Sequence, residues 1–109
     1  MNVRFAAVGM GNSAALESHA SDGLNASLGR FAHRLQRVEM RLRDVNGPKG
    51  GVDACCVAIA QLKRGGRVAI RATDADAYRA IDKAAHTLRD AIRRRYGDIS
   101  HHGATIRGA

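Results

Sequence analysis

Six arginines raise the first chemical question. In the stretch RVEMRLRD, Arg37, Arg41 and Arg43 recur at even spacing beside Glu39, and Arg4, Arg67 and Arg71 stand in two other stretches with the same two-residue alternation. A guanidinium stays charged at any physiological pH and presents a planar fork of donors that fits two oxygens of a phosphate. Residues two apart on a strand share a face. This spacing therefore lines guanidiniums along one surface and points to a polyanion held by charge and by paired hydrogen bonds. Lys49, in the loop NGPKGG, is a further candidate phosphate contact, as are Arg79, Lys83, Arg93 and Arg94 on the polar side of the last helical segment.

Other chemistries find less support. VGMGNSA matches the letters of a dinucleotide fingerprint through Gly9, Gly11 and Ala14, but the next acidic residue at a strand end, Asp44, is too distant, and hairpins follow where parallel crossovers are required. The NGPKGG loop lacks both the GK[ST] ending and the helix that would aim its amides at a phosphate. His19, His33, His86, His101 and His102 show no metal-ligand spacing. Cys55 and Cys56 are neighbours in a strand-like run, so their side chains point to opposite faces and a bond between them would strain the backbone. Reduced thiols and a cytoplasmic setting are expected. No acid/base pair or nucleophile constellation stands out, so neither enzyme activity, cofactor nor metal is expected.

The balance of charge agrees with the arginine pattern. Lys and Arg number 18 against 10 Asp and Glu, which gives a formal charge of +8 and a sequence pI of about 10.7. Such an excess favours nucleic acid or an anionic membrane, through counterion release and Coulomb steering. Only Phe5, Phe31, Tyr78 and Tyr96 are aromatic, with no Trp. A base-stacking platform is thus disfavoured relative to recognition of backbone or shape. The chain shows neither a signal peptide nor an apolar run long enough to span a membrane.

These residues must be positioned by a single domain, since 109 residues suit one modest core. Val3, Phe5 and Ala7 alternate with Asn2, Arg4 and Ala6 in a first strand. A helix then starts near Ser13, with Leu16, Ala20, Leu24, Leu28 and Phe31 on one stripe. From Leu35 the period returns to two, with Val38, Met40 and Leu42 opposite the arginines. A third strand spans about 53–62, where continuous apolarity hides the inward face. KRGG reads as a hairpin, and a fourth strand at 66–73 sets Val68, Ile70 and Ala72 against Arg67, Ala69 and Arg71. The last helix carries Tyr78, Ile81, Ala85, Leu88, Ile92 and Tyr96 at steps of three and four. Thr73 or Asp74 is expected to cap it, Arg93, Arg94 and Arg95 to meet its negative end, and Gly97 to stop it.

The expected fold is therefore α+β, in the order β-α-β-β-β-α, with a four-stranded sheet and two helices packed on one face. Residues 1–97 form the domain and 98–109 a mobile tail. Two helices with one apolar stripe each cover only one side of such a sheet. The bare side then carries Arg4, Arg37, Arg41, Arg43, Arg67 and Arg71, interrupted by Glu39. Arginines on adjacent strands repel at about 5 Å, so their concentration is expected to serve a polyanion. A protein-interaction module holding an acidic partner is the other class that such a face admits, and a nucleotide binder using the GMGNSA turn is a third.

RLRDVNGPKGGVDACC, from Arg41 through Cys56, and DAYRAID, from Asp76 through Asp82, resemble the ribosome hibernation-promoting factor and ribosome-associated inhibitor A family, also described as sigma-factor modulation proteins. The resemblance covers roughly residues 1–97. It implies a four-stranded sheet with two helices on one side, in a non-enzymatic protein. It further implies a seat in the small ribosomal subunit, in the channel used by messenger and transfer RNA, with contacts to ribosomal RNA phosphates that block translation in starvation or stationary phase. Longer members add a domain that pairs ribosomes. This sequence shows none, so a monomer is expected. The family carries basic residues where this chain has Ser27, Thr87 and Asp90, and those positions are not carried over.

Overall fold

Alternation and helical periodicity produce four strands and two helices in the expected order: β1 (Asn2–Val8), α1 (Ser13–Leu28), β2 (Leu35–Asp44), β3 (Ala54–Leu62), β4 (Arg67–Asp74) and α2 (Ala77–Gly103). The computed structural model describes residues 1–9, 11, 13–45 and 53–103, with side chains described as far as residue 96. Lys49, Met10, Asn12 and residues 104–109 lie outside the described residues. The strands lie in the order β1-β2-β3-β4. β1 and β2 are parallel, connected through α1, and the other pairs are antiparallel. The β3–β4 connection is a tight turn in which Gly65 and Gly66 adopt φ of 77° and 94°, closed by a Leu62 amide donating to the Gly66 carbonyl at 3.0 Å. Glycine enters that region without steric cost.

One face of the sheet is packed. Leu16, Ala20, Leu24 and Leu28 of α1 and Ala80, Ile81, Ala84, Ala85, Leu88 and Ile92 of α2 bury against Val38, Met40 and Leu42 of β2 and alternate residues of β3. β3 resolves its ambiguous run by turning Ala54, Cys56, Ala58, Ala60 and Leu62 inward. Small residues there let α2 approach closely. In β2 the register slips between Leu35 and Arg37. That extra residue lets Leu35 and Val38, three apart, both be buried. At the outer side of the helix pair, His19 Nε2 lies 2.7 Å from Asp82 Oδ1, and the His19 ring meets Tyr78 edge-on at 5.1 Å.

Three local expectations need correction. α1 ends at Leu28, and Phe31 sits half-buried in a 3₁₀ turn, Gly29–Arg34, which continues the apolar stripe with tighter winding. The cap of α2 is Asp76, whose Oδ1 accepts from the Tyr78 amide at 2.8 Å. Asp74 instead accepts from the Asp76 amide at 3.0 Å and shapes the preceding turn. Finally, α2 runs through Gly97 to Gly103. A glycine inside a helix costs roughly 1 kcal/mol relative to Ala, which weakens a helix without ending it. Arg93, Arg94 and Arg95 are therefore interior to α2 and do not face its negative end.

Candidate nucleic-acid interface

The strand registers place the bare face in four rows. Asn2, Arg37, Gln61 and Arg67 form the first; Arg4, Glu39, Ile59 and Ala69 the second; Ala6, Arg41, Val57 and Arg71 the third; Val8, Arg43, Cys55 and Thr73 the fourth. All six arginines predicted from alternation are exposed on this side. Among the described residues, Arg4, Arg37, Arg43, Arg67 and Arg71 have no carboxylate within 4.0 Å. Arg41 has Glu39 at 3.9 Å while its side chain stays 68% exposed. An exposed pair of that length contributes about 0–1 kcal/mol and leaves the guanidinium available.

The arginines are not packed strand against strand as anticipated. β3 separates β2 from β4 and contributes only half-buried Val57, Ile59 and Gln61 with buried Cys55. Arg41 and Arg71 thus flank Val57 across two strand spacings, about 9.6 Å. That is close to the screening length at physiological salt, so the repulsion is much reduced. The face is best described as two cationic ribs with an apolar floor between them. At its loop end the floor opens into a recess of about 630 Å³, lined by Arg41, Arg43 and Arg71 over Val8, Cys55 and Val57. The continuous apolar run of β3 had concealed this floor in the sequence.

The α2 candidates divide. Lys83 Nζ lies 3.0 Å from Asp74 Oδ2 and donates to the Thr73 carbonyl at 3.0 Å. Asp74 is held below the usual carboxylate range first by the Asp76 amide and then by Lys83. Arg93 donates to Asp90 at 3.2 Å, beside Arg89 at 3.3 Å and His86 at 3.6 Å. Burial pushes the Asp90 carboxyl up, but these donors and charges outweigh it and leave it below the ordinary value. Lys83 and Arg93 therefore serve the protein's own carboxylates, whereas Arg79 and Arg94 are exposed with no carboxylate in ion-pair range among the described residues, although the Arg79 charge adds a little to the lowering of Asp74. Asp90 offsets one of the two arginine charges gathered around it.

A second cationic group was not singled out by the sequence reading. At the hairpin end, Arg34 stacks over the Tyr96 ring at 4.6 Å, and the Lys63 amide donates to the Arg34 carbonyl at 3.0 Å. Arg95 Nη2 donates to the Gly65 carbonyl at 2.8 Å. The signal was present as local clusters, RFAHR, KRGGR and RRRY, that only the fold brings together.

No helix among the described residues is long and apolar enough to cross a membrane. Nor do three or more His, Cys, Asp or Glu residues gather there as a metal site. A sheet packed on one side and arginine-ribbed on the other defines an α+β domain suited to a polyanion. The chain belongs to the family described as Sigma 54 modulation protein / S30EA ribosomal protein, whose model matches residues 3–99. That is the hibernation-factor family its two motifs resemble, a family of ribosome-associated factors and not a known class of enzyme. No curated protein sequence matches the chain. Among solved structures it is similar to the N-terminal domain of Protein Y from Thermus thermophilus, with 25% identity and a TM-score of 0.71 over 86% of this chain and 98% of that one. It is also similar to a ribosomal subunit interface protein from Coxiella burnetii, with 16% identity and a TM-score of 0.71 over 89% and 99%, a likeness of fold.

Proposed function

We propose that this protein binds the small ribosomal subunit in the channel for messenger and transfer RNA and arrests translation, gripping ribosomal RNA by arginine–phosphate contacts from the open sheet face. The observation that carries this reading is the placement of six exposed arginines on the one side the helices leave bare, five of them with no carboxylate in ion-pair range among the described residues. Family membership supplies the ribosome as the partner. Contacts to phosphate position a protein without reading sequence, which fits a face with no aromatic residue on it.

The apolar floor has a role in the same scheme. Arginine stems lie along apolar surface while their heads reach outward. Val57 and Ile59 therefore support the ribs and hold the guanidiniums apart, with the face open to a curved strand of RNA. Cosedimentation with purified small subunits across a salt series tests the reading. Neutralising about five phosphates gives a logarithmic slope of roughly −4. Failure to sediment with subunits at low ionic strength would contradict it, and so would binding indifferent to salt.

A further inference from the structure

Charge in this molecule is segregated along its length. Segments 29–37, 61–67 and 94–96 converge at the hairpin end, as the register of Arg37, Gln61 and Arg67 and the contacts of Arg34 and Arg95 establish. They hold eight of the 18 lysines and arginines and none of the ten carboxylates. At the opposite end, the row of Asp44, Ala54 and Asp74 leads into the Asp76 cap and Asp82, and Asp53 immediately precedes β3. The net positive charge therefore belongs mostly to one pole.

That pole is also built. Three elements close around a cleft of about 370 Å³ lined by His33, Arg34, Lys63, Arg64 and Tyr96. Arg34 is held on the Tyr96 ring and Arg95 on the Gly65 carbonyl, so two of its cations are fixed before any ligand arrives. Preorganised donors lose less freedom on binding than free side chains do. Among the described residues, no carboxylate lies within 4.0 Å of Arg34, Lys63, Arg64 or Arg95, and none lines the cleft. Lysine and arginine side chains with nothing acidic to answer them indicate an anion from outside the chain.

We infer that the hairpin pole is a second binding site for RNA backbone, taking consecutive phosphates of a strand that continues from the sheet face. It rests on the proposed ribosomal RNA reading and deepens it. Arg67 connects the two surfaces, lying in the first row of the face and adjoining the hairpin. Same-face residues along a strand are about 6.7 Å apart, so Arg67 and Arg71, with Ala69 between them, stand about 13 Å apart, close to two phosphate steps on a nucleic-acid strand. One strand can therefore run from Arg71 past Arg67 into the cleft beside Arg64 and Lys63. The segregated charge also orients the approach, drawing this pole toward RNA first.

The test compares two variants in the cosedimentation salt series. Lys63→Gln with Arg64→Gln removes two exposed cations that hold no internal ion pair among the described residues, so the melting temperature should be unchanged. The salt slope should become shallower by about 2, with affinity at moderate salt reduced by roughly one to two orders of magnitude. Arg37→Gln, Arg41→Gln and Arg71→Gln together report the sheet face separately. An unaltered slope in the pole variant, alongside a flattened slope in the face variant, overturns the inference and leaves the proposed function standing. A wild-type chain that ignores subunits removes both. Amine-reactive crosslinking that joins Lys63 to a ribosomal protein would assign the pole to an acidic protein surface and overturn its assignment to RNA.

Discussion

Cys55 and Cys56 show how one residue step divides the molecule. Cys56 points into the core with no exposed surface, and burial, aided by the neighbouring Cys55, pushes its thiol up to about 12. Cys55 points the other way, into the recess between the arginine ribs, and is 7% exposed. Both are free, as their opposed directions require. A thiol held that far up stays protonated at pH 8, and the thiolate is the reactive form. A disulfide reagent at that pH should therefore titrate no more than one thiol in the native protein and two in denaturant. Rapid, equal reaction of both without denaturant would place Cys56 outside the core. The arginines follow the same logic of alternation: Arg41 is exposed because Leu42 is buried, and the pair could be read from spacing alone. The direction of Cys55 could not, since Ala54 through Ala60 are apolar on both faces.

At the scale of elements, apolar periodicity located β1, β2, β4 and both helices, and a continuous apolar run located β3, because burying one stripe or one face is what makes each element stable here. Their ends were less legible. Asp76 won the α2 cap over Thr73 and Asp74 because three acceptors within four residues compete for the same first-turn amides, and only the path of the chain leaving β4 decides among them. Gly97 did not end α2, and Gly23 sits inside α1. Glycine marks a stop only where the chain must take positive φ. That distinction is measurable. A Cβ added at Gly23 meets nothing within 4 Å, so Gly23→Ala should stabilise the protein by about 1 kcal/mol. Gly66 has φ of +94° and an added Cβ would stand 3.4 Å from Arg95 Nη2, so Gly66→Ala should destabilise by about 1 kcal/mol or more. Urea unfolding of the two variants reads both signs. Equal effects would mean that the hairpin does not need its left-handed glycine.

For the molecule as a whole, the two sides of the sheet have different tasks. One is sealed by α1 and α2, and the other keeps most of its charge in water, with Glu39 beside Arg41 as its one acidic residue among the described rows. α2 turns half of its six lysines and arginines back to the protein's own carboxylates: Lys83 serves Asp74, and Arg89 and Arg93 serve Asp90. The balance of available cations therefore shifts from α2 to the sheet and the hairpin pole. Sequence alone revealed the first of these surfaces, because alternation is local. It concealed the second, because Arg34, Lys63 and Arg95 meet only after folding.

The measurement that bears most directly on this division is the salt dependence of subunit binding by the triple variant Arg37→Gln, Arg41→Gln, Arg71→Gln. The three side chains are exposed, so thermal melting should match wild type. The slope should fall in magnitude by about 2 to 3, with binding weakened at every salt concentration below the crossover. A correctly folded triple variant that binds small subunits with the wild-type slope and affinity would contradict the account.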